Sequence, residues 1–210
     1  MAHLYYTEHG AGRPLVMLHG FAADHRLMEG CMEPLFARRG DGGSWRRLYP
    51  DLPGMGSSPA HPGVRNSDDI VGEILAFIDE HLPGASFTLA GESYGGYLAR
   101  EILRRRPRSV DGMMLICPAV LPLKEDRDLP PKRILVRLAD PLPPGASARE
   151  AADFGEVTVQ TPETWRRFEA EVLSGLRFAD RAFLRTLRPG GYPLSGNPDS
   201  LEEPYDRPVL

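Results

Sequence analysis

Gly91-Glu92-Ser93-Tyr94-Gly95 is the stretch whose residue types and spacing could do chemistry. A serine hydroxyl can attack a carbonyl carbon once the backbone lifts it clear of its surroundings. The flanking residues supply that lift. Ser86-Phe87-Thr88-Leu89-Ala90 is an apolar, β-favouring run, and Gly96 to Arg104 has helical spacing that ends at Pro107. So tight a strand-to-helix turn strains the serine backbone, and a side chain at Gly91 or Gly95 would collide with the adjacent strand or helix. This context favours a nucleophile elbow over a merely structural Gly-rich turn.

Two other stretches stand out. His19-Gly20-Phe21 follows the continuous apolar run Pro14 to Leu18, and Asp51-Leu52-Pro53-Gly54-Met55-Gly56-Ser57-Ser58-Pro59 is a shaped loop by its glycine and proline content. Dinucleotide binding by Gly54-Met55-Gly56 fails, because the third glycine is missing and no helix opens directly after it. Asp24 reads as a helix cap rather than a catalytic acid. His25 falls on a helix surface or pocket rim, whereas His3, His9, His61 and His81 read as solvated loop or helix-end residues. Arg104-Arg105-Arg106 complements a helix dipole and faces solvent. Cys31 and Cys117 lie far apart, outside any metal or redox spacing, and read as reduced core or near-core thiols.

The elements that must position these residues follow in order. Leu4 to Thr7 is a short strand, and Pro14 to Leu18 a strand covered on both faces. A helix spans about residues 25–39 with Leu27, Met28, Cys31, Leu35 and Phe36 as its stripe. Trp45 to Tyr49 is the next strand. Asn66 or Ser67 caps an amphipathic helix with Ile70, Val71, Ile74, Leu75, Phe77 and Ile78 that stops before Pro83-Gly84. Val110 to Cys117 is another buried strand, stopped by Pro118. Strands and helices alternating at this spacing predict an α/β fold, a mostly parallel sheet with helices on both faces.

After Pro118 the character changes. Residues 119–205 are rich in Pro, Arg and acidic residues and predict a helical lid over the sheet edge, against a separate helical domain without bearing on chemistry. Lys132 to Ala139 is helical or extended. A helix capped near Thr161-Pro162-Glu163 carries Trp165, Phe168, Val172 and Leu176, and another runs from Ala179 to Leu187. The spacing of Trp165 and Phe168 is ordinary helical core. Residues 206–210 look like the start of a further core strand, so the domain reading is a core over 1–118, a lid over 119–205 and that strand start.

The 210 residues carry 41% hydrophobic and 26% charged side chains, so a packed core is expected rather than disorder. A net charge of -4 leaves no footprint for nucleic acid or an anionic membrane. No apolar run approaches a membrane span, and the first residues lack a secretion signal, which predicts a cytoplasmic protein with neither membrane nor nucleic-acid partner.

Taken together, Pro14 to Phe21, Asp51 to Ser58 and Gly91 to Gly96 resemble the α/β-hydrolase superfamily, in particular its small lid-bearing serine esterases, lactonases and C–C hydrolases. The likeness covers the first 120 residues or so, and the lid by position only. It implies Ser93 as the nucleophile, with the backbone N–H groups of Phe21 and Tyr94 as the oxyanion hole. It also implies that His19, with Gly20, props the oxyanion loop, and that the reaction on a small-molecule substrate needs no metal or organic cofactor. A serine nucleophile argues against the haloalkane dehalogenase and epoxide hydrolase branches, which place an aspartate there.

The chain departs from the family's order of nucleophile, acid, histidine, because no histidine follows Ser93. The economical reading is that roughly 60–70 residues carrying acid and base lie beyond Leu210, with an open sheet edge covered by that segment, by a partner fragment or by self-association. The leading expectation is hydrolysis of a small apolar ester or related acyl substrate through an acyl-enzyme on Ser93. C–C bond or amide cleavage on the same scaffold, and non-catalytic ligand binding, stand beside it.

Overall fold

A computed structural model describes residues 3–40, 44–138, 146–188 and 190–210. Five strands, β1 (Tyr6–His9), β2 (Arg13–Leu18), β3 (Trp45–Pro50), β4 (Phe87–Glu92) and β5 (Val110–Ile116), form one sheet in the order β1-β3-β2-β4-β5. Only β1 runs antiparallel, against β3; the other neighbours are parallel. The first strand starts later than expected at Leu4 because its ladder is set by β3, from Tyr6 opposite Pro50 to His9 opposite Arg47.

The helices between the strands have legible caps. The side chain of Asp24 accepts from the Arg26 N–H to start α1 (His25–Arg39), and that of Asn66 accepts from the Asp69 N–H to start α2 (Ser67–His81). α3 (Tyr94–Arg105) follows β4 after a single residue. The period-2 alternation of β2 divides the core between two faces: Val16 and Leu18 meet α2 and α3 residues such as Ile74, Leu98 and Ile102, whereas Leu15 and Met17 meet Met28 and Met32 of α1. Each fully buried aliphatic side chain here contributes about 1.5–3 kcal/mol over leaving it in water.

The stripe expected on α1 is only partly buried. Met28 and Met32 enter the core, whereas Leu35 is 45% exposed. Its surroundings are a groove of about 800 Å³ lined by Leu15, Leu35, Ala90, Met114 and Leu210 among others. One helix covers part of this sheet face, and the part towards β5 has no cover among the described residues.

After β5 come α4 (Ala148–Phe154), α5 (Pro162–Phe168), a π-helical turn (Glu169–Leu173), α6 (Ser174–Phe178) and α7 (Arg181–Leu187). The helix expected from Thr161 is therefore two short ones joined through that turn. Phe154, Trp165 and Leu173 bury one another in a small core of their own. α4 adds a helix beyond those expected, and its local signal is the Ser147-x-x-Glu150 capping box. The 132–139 piece is non-helical as far as Leu138, with one parallel bridge from Val136 to Val159; Ala139 lies outside the described residues. At the end of the chain the N–H groups of Met113 and Leu115 donate to the carbonyls of Pro208 and Leu210 at 2.9 and 2.8 Å. Residues 208–210 thus lie parallel beside β5.

Candidate active site

Ser93 sits between β4 and α3 with φ 51° and ψ -111°, in a region closed to most L-residues. The surrounding structure enforces it. The Ser93 N–H donates to the Ile116 carbonyl at 3.0 Å, and its own carbonyl accepts from Ala119 and Tyr97 at 2.9 and 3.2 Å. A Cβ on Gly91 would lie 2.5 Å from the Gly95 carbonyl oxygen, and one on Gly95 would run into the Leu18 carbonyl oxygen. Both positions need glycine because backbone, not a movable side chain, fills the space. The Ser93 hydroxyl makes no hydrogen bond among the described residues.

The loop after β2 closes on this turn. His19 is fully buried, and its Nε2 accepts from the Leu52 N–H at 3.0 Å. That leaves the proton on Nδ1, which donates to the Gly20 carbonyl oxygen at 2.8 Å. Burial drives the imidazole pKa down, so His19 is a neutral prop with both nitrogens in use. The Gly20 carbonyl also accepts from Ala23 at 3.2 Å. In the planar trans peptide the Phe21 N–H points opposite to that anchored oxygen. A Cβ on Gly20 would strike the Glu92 carboxylate and come within 3.4 Å of the Ser93 Cβ, which places the loop directly against the serine. Neither the Phe21 nor the Tyr94 N–H has an acceptor among the described residues.

Aromatic rings wall the same region. Phe21 meets Tyr94 and Tyr192 with ring centroids 5.3 and 5.4 Å away, and Tyr94 meets Tyr192 at 4.8 Å. Tyr94 donates to the Ser67 hydroxyl at 2.7 Å, which in turn donates to the Tyr192 carbonyl at 2.6 Å. The chain after β5 reaches over these loops. Gly175 of α6 packs so closely on Ala23 that a Cβ would lie 2.6 Å from its carbonyl carbon, the Asp180 N–H donates to Gly54 at 2.8 Å, and Arg188 stands 5.3 Å over the Phe21 ring.

The shaped loop is held by Asp51, whose carboxylate accepts from the His25 N–H at 2.7 Å, the His25 ring at 2.9 Å and the Ser57 N–H at 2.8 Å. His25 is therefore buried, not at a helix surface or rim. Burial alone would lower its pKa, but the Asp51 hydrogen bond and charge outweigh it and the net shift is upward. For Asp51 burial pushes upward, and the donors from His25 and Ser57 win and hold it below the usual carboxylate range. Arg104, Arg105 and Arg106 face not bare solvent but Glu101, Asp68 and Asp79. Cys117 is exposed rather than near the core, since β5 ends just before it. Among the described residues no cluster of His, Cys, Asp and Glu could hold a metal, and no imidazole bonds to Ser93.

The alpha/beta hydrolase fold family matches residues 13–168. A pimeloyl-[acyl-carrier protein] methyl ester esterase of Nitrosomonas europaea is 32% identical over 116 residues, 55% of this chain and 41% of that protein. The dihydrolipoyllysine-residue acetyltransferase component of the acetoin cleaving system of Pseudomonas putida is 34% identical over 110 residues, 52% of this chain and 28% of its own length. The chain thus spans less than half of these curated relatives. An alpha/beta superfamily hydrolase from Oenococcus oeni PSU-1 superposes with a TM-score of 0.84 at 28% identity, covering 98% of this chain and 74% of that one. The family match runs from β2 to α5 and so takes in every element that carries Ser93, the Gly20 loop and the Asp51 loop: the chain belongs to the alpha/beta hydrolase fold family.

Proposed function

We propose that this protein is a serine hydrolase cleaving a small, fairly apolar ester through an acyl-enzyme on Ser93. The observation that carries it is Ser93 at φ 51° beside two unpartnered backbone N–H groups, those of Phe21 and Tyr94. The Ser93 Oγ adds to the ester carbonyl carbon, and the electron pair moving onto the carbonyl oxygen is received by the two N–H groups. Collapse expels the alcohol, and water then releases the acid from Ser93. A donor aimed at the developing oxyanion is typically worth a factor of about 10²–10³ in rate. His19 positions one donor through the Gly20 carbonyl, and Tyr94 supplies the other from the first residue of α3. The rings of Phe21, Tyr94 and Tyr192 suit an apolar acyl group, and α4–α7 act as the lid. The methyl ester esterase among the relatives supports an ester over an amide.

The Ser93 proton needs an acceptor, and with both nitrogens of His19 occupied that acceptor lies outside the described residues. The same observation favours a second reading, a ligand-binding protein in which Ser93 is unpowered. Labelling with a fluorophosphonate, with and without added imidazole as a diffusible base, separates the two by mass spectrometry. The expected result is one adduct on the wild type, accelerated by imidazole, and none on Ser93→Ala. A folded wild type that stays unlabelled under both conditions would establish the binding reading instead.

A further inference from the structure

Arg188 directly follows α7, and its guanidinium carbon stands 5.3 Å from the centroid of the Phe21 ring. In α4–α6, Arg149, Arg166, Arg167 and Arg177 each pair with a carboxylate. Arg188 pairs with none and donates no hydrogen bond among the described residues. An aromatic face attracts a guanidinium electrostatically, yet it leaves the planar N–H fork open to an acidic partner. That fork lies beside the residue whose N–H is one of the two oxyanion donors. The same Phe21 ring meets Tyr94 and Tyr192, so the cation borders the apolar wall of the site. We propose that Arg188 is a specificity-determining residue that receives a carboxylate at the far end of the substrate's acyl chain.

The inference rests on the acyl-enzyme reading above and narrows its substrate to an amphipathic ester, apolar between the scissile carbonyl and one negative end. A single guanidinium matches a carboxylate in charge and in the spacing of its paired N–H groups. The Phe21 ring covers one side of the cation, and an ion pair against such a wall is stronger than one in open water. Burial raises the pKa of the Tyr192 phenol, and the Arg188 charge is among those that oppose the rise, in keeping with a cation that faces this wall. A neutral ester gains nothing from that charge. Arg185, one turn earlier on α7, is exposed and likewise has no carboxylate, but no aromatic ring lies under it among the described residues. The two arginines therefore separate the local contact from the general positive charge of this helix.

The test is binding to the 210-residue Ser93→Ala protein, which cannot form an acyl-enzyme, followed by NMR. The probes are the monomethyl esters of glutarate, adipate and suberate, each beside its dimethyl ester. At least one monomethyl ester is expected to bind about fivefold or more tightly than its dimethyl counterpart, moving the Arg188 Nε–H and Phe21 amide signals. That preference should vanish when Arg188→Gln is added and persist when Arg185→Gln is added instead. No preference at any length overturns the proposal, as does a preference that survives Arg188→Gln or is lost equally in Arg185→Gln. Arg188 is exposed, so its glutamine variant is expected to fold as wild type does. Fluorophosphonate labelling of the Ser93-bearing protein tests the underlying reading separately. If it labels, the preferred monomethyl ester should protect Ser93 better than its dimethyl ester at equal concentration, and equal protection overturns the proposal. If it does not label, the nucleophile reading falls and the binding comparison alone decides the role of Arg188.

Discussion

The left-handed backbone of Ser93 costs about 1–3 kcal/mol, and it persists because the groups around it leave no alternative path. Gly95 is the tightest of them, abutting the Leu18 carbonyl. Gly95→Ala is expected to lose more than about 3 kcal/mol of stability in urea titration, because backbone cannot move aside as a side chain would. A loss below about 1 kcal/mol would mean that the turn is not over-determined. Glu92 gives a residue-scale prediction of opposite sign. Its folded pKa of about 7 lies above the ordinary value of 4.5, so the folded state binds the proton more tightly and stability declines as pH rises between the two. Glu92→Gln, which carries no charge at either pH, should match wild type near pH 4 and exceed it near pH 8 by up to about 3 kcal/mol. Equal stability of the two at alkaline pH would contradict the burial of this carboxylate.

At the scale of elements, the loops after β2 and β3 are joined by His25 and Asp51. The raised pKa of His25 makes its contribution complete below the unfolded value of 6.5 and lost as pH rises through the folded one. The lowered pKa of Asp51 makes its share complete above 3.8 and lost as pH falls through its folded value. The pair therefore stabilises most between those two limits. Wild type is expected to exceed His25→Gln by about 1.5–3 kcal/mol near pH 5.5, with the gap closing towards pH 9, as read from chemical denaturation at each pH. A gap independent of pH would remove the charge from the account. Asp24, Asn66 and Thr161 were readable as caps because a cap is a local bond, made within three residues. Asp51 was not readable as an anchor, since its partner His25 is 26 residues away and the bond exists only once β2 and β3 are neighbours.

For the whole molecule, the groove along α1, β2, β4 and β5 leaves Leu35 and Leu210 in solvent. Removing this apolar surface from water is favourable at about 25 cal/mol per Å², and residues 208–210 bring a short strand to the same edge. Concentration-dependent self-association of the 210-residue chain is the expected outcome in light scattering after size exclusion, with Leu35→Glu shifting it towards monomer. A wild type that stays monomeric at every concentration, with a sharp unfolding transition, would show that the face is tolerated as it is. The segment after Pro118 was legible only as a change in composition; its two short helices around a π-helical turn, and its contacts with Ala23 and Gly54, arise from packing.

By itself the sequence determined the alternation of strands and helices, the glycines at 91 and 95 and the serine between them, because periodicity, turn chemistry and steric need act over a few residues. Tertiary structure alone decided that His19 spends both its nitrogens on Leu52 and Gly20, that His25 is buried on Asp51, and that the Glu92 carboxylate packs against Gly20. Those contacts join residues brought together only when β2 lies between β3 and β4, and parallel neighbours in a sheet are set by long-range crossovers that no local pattern encodes.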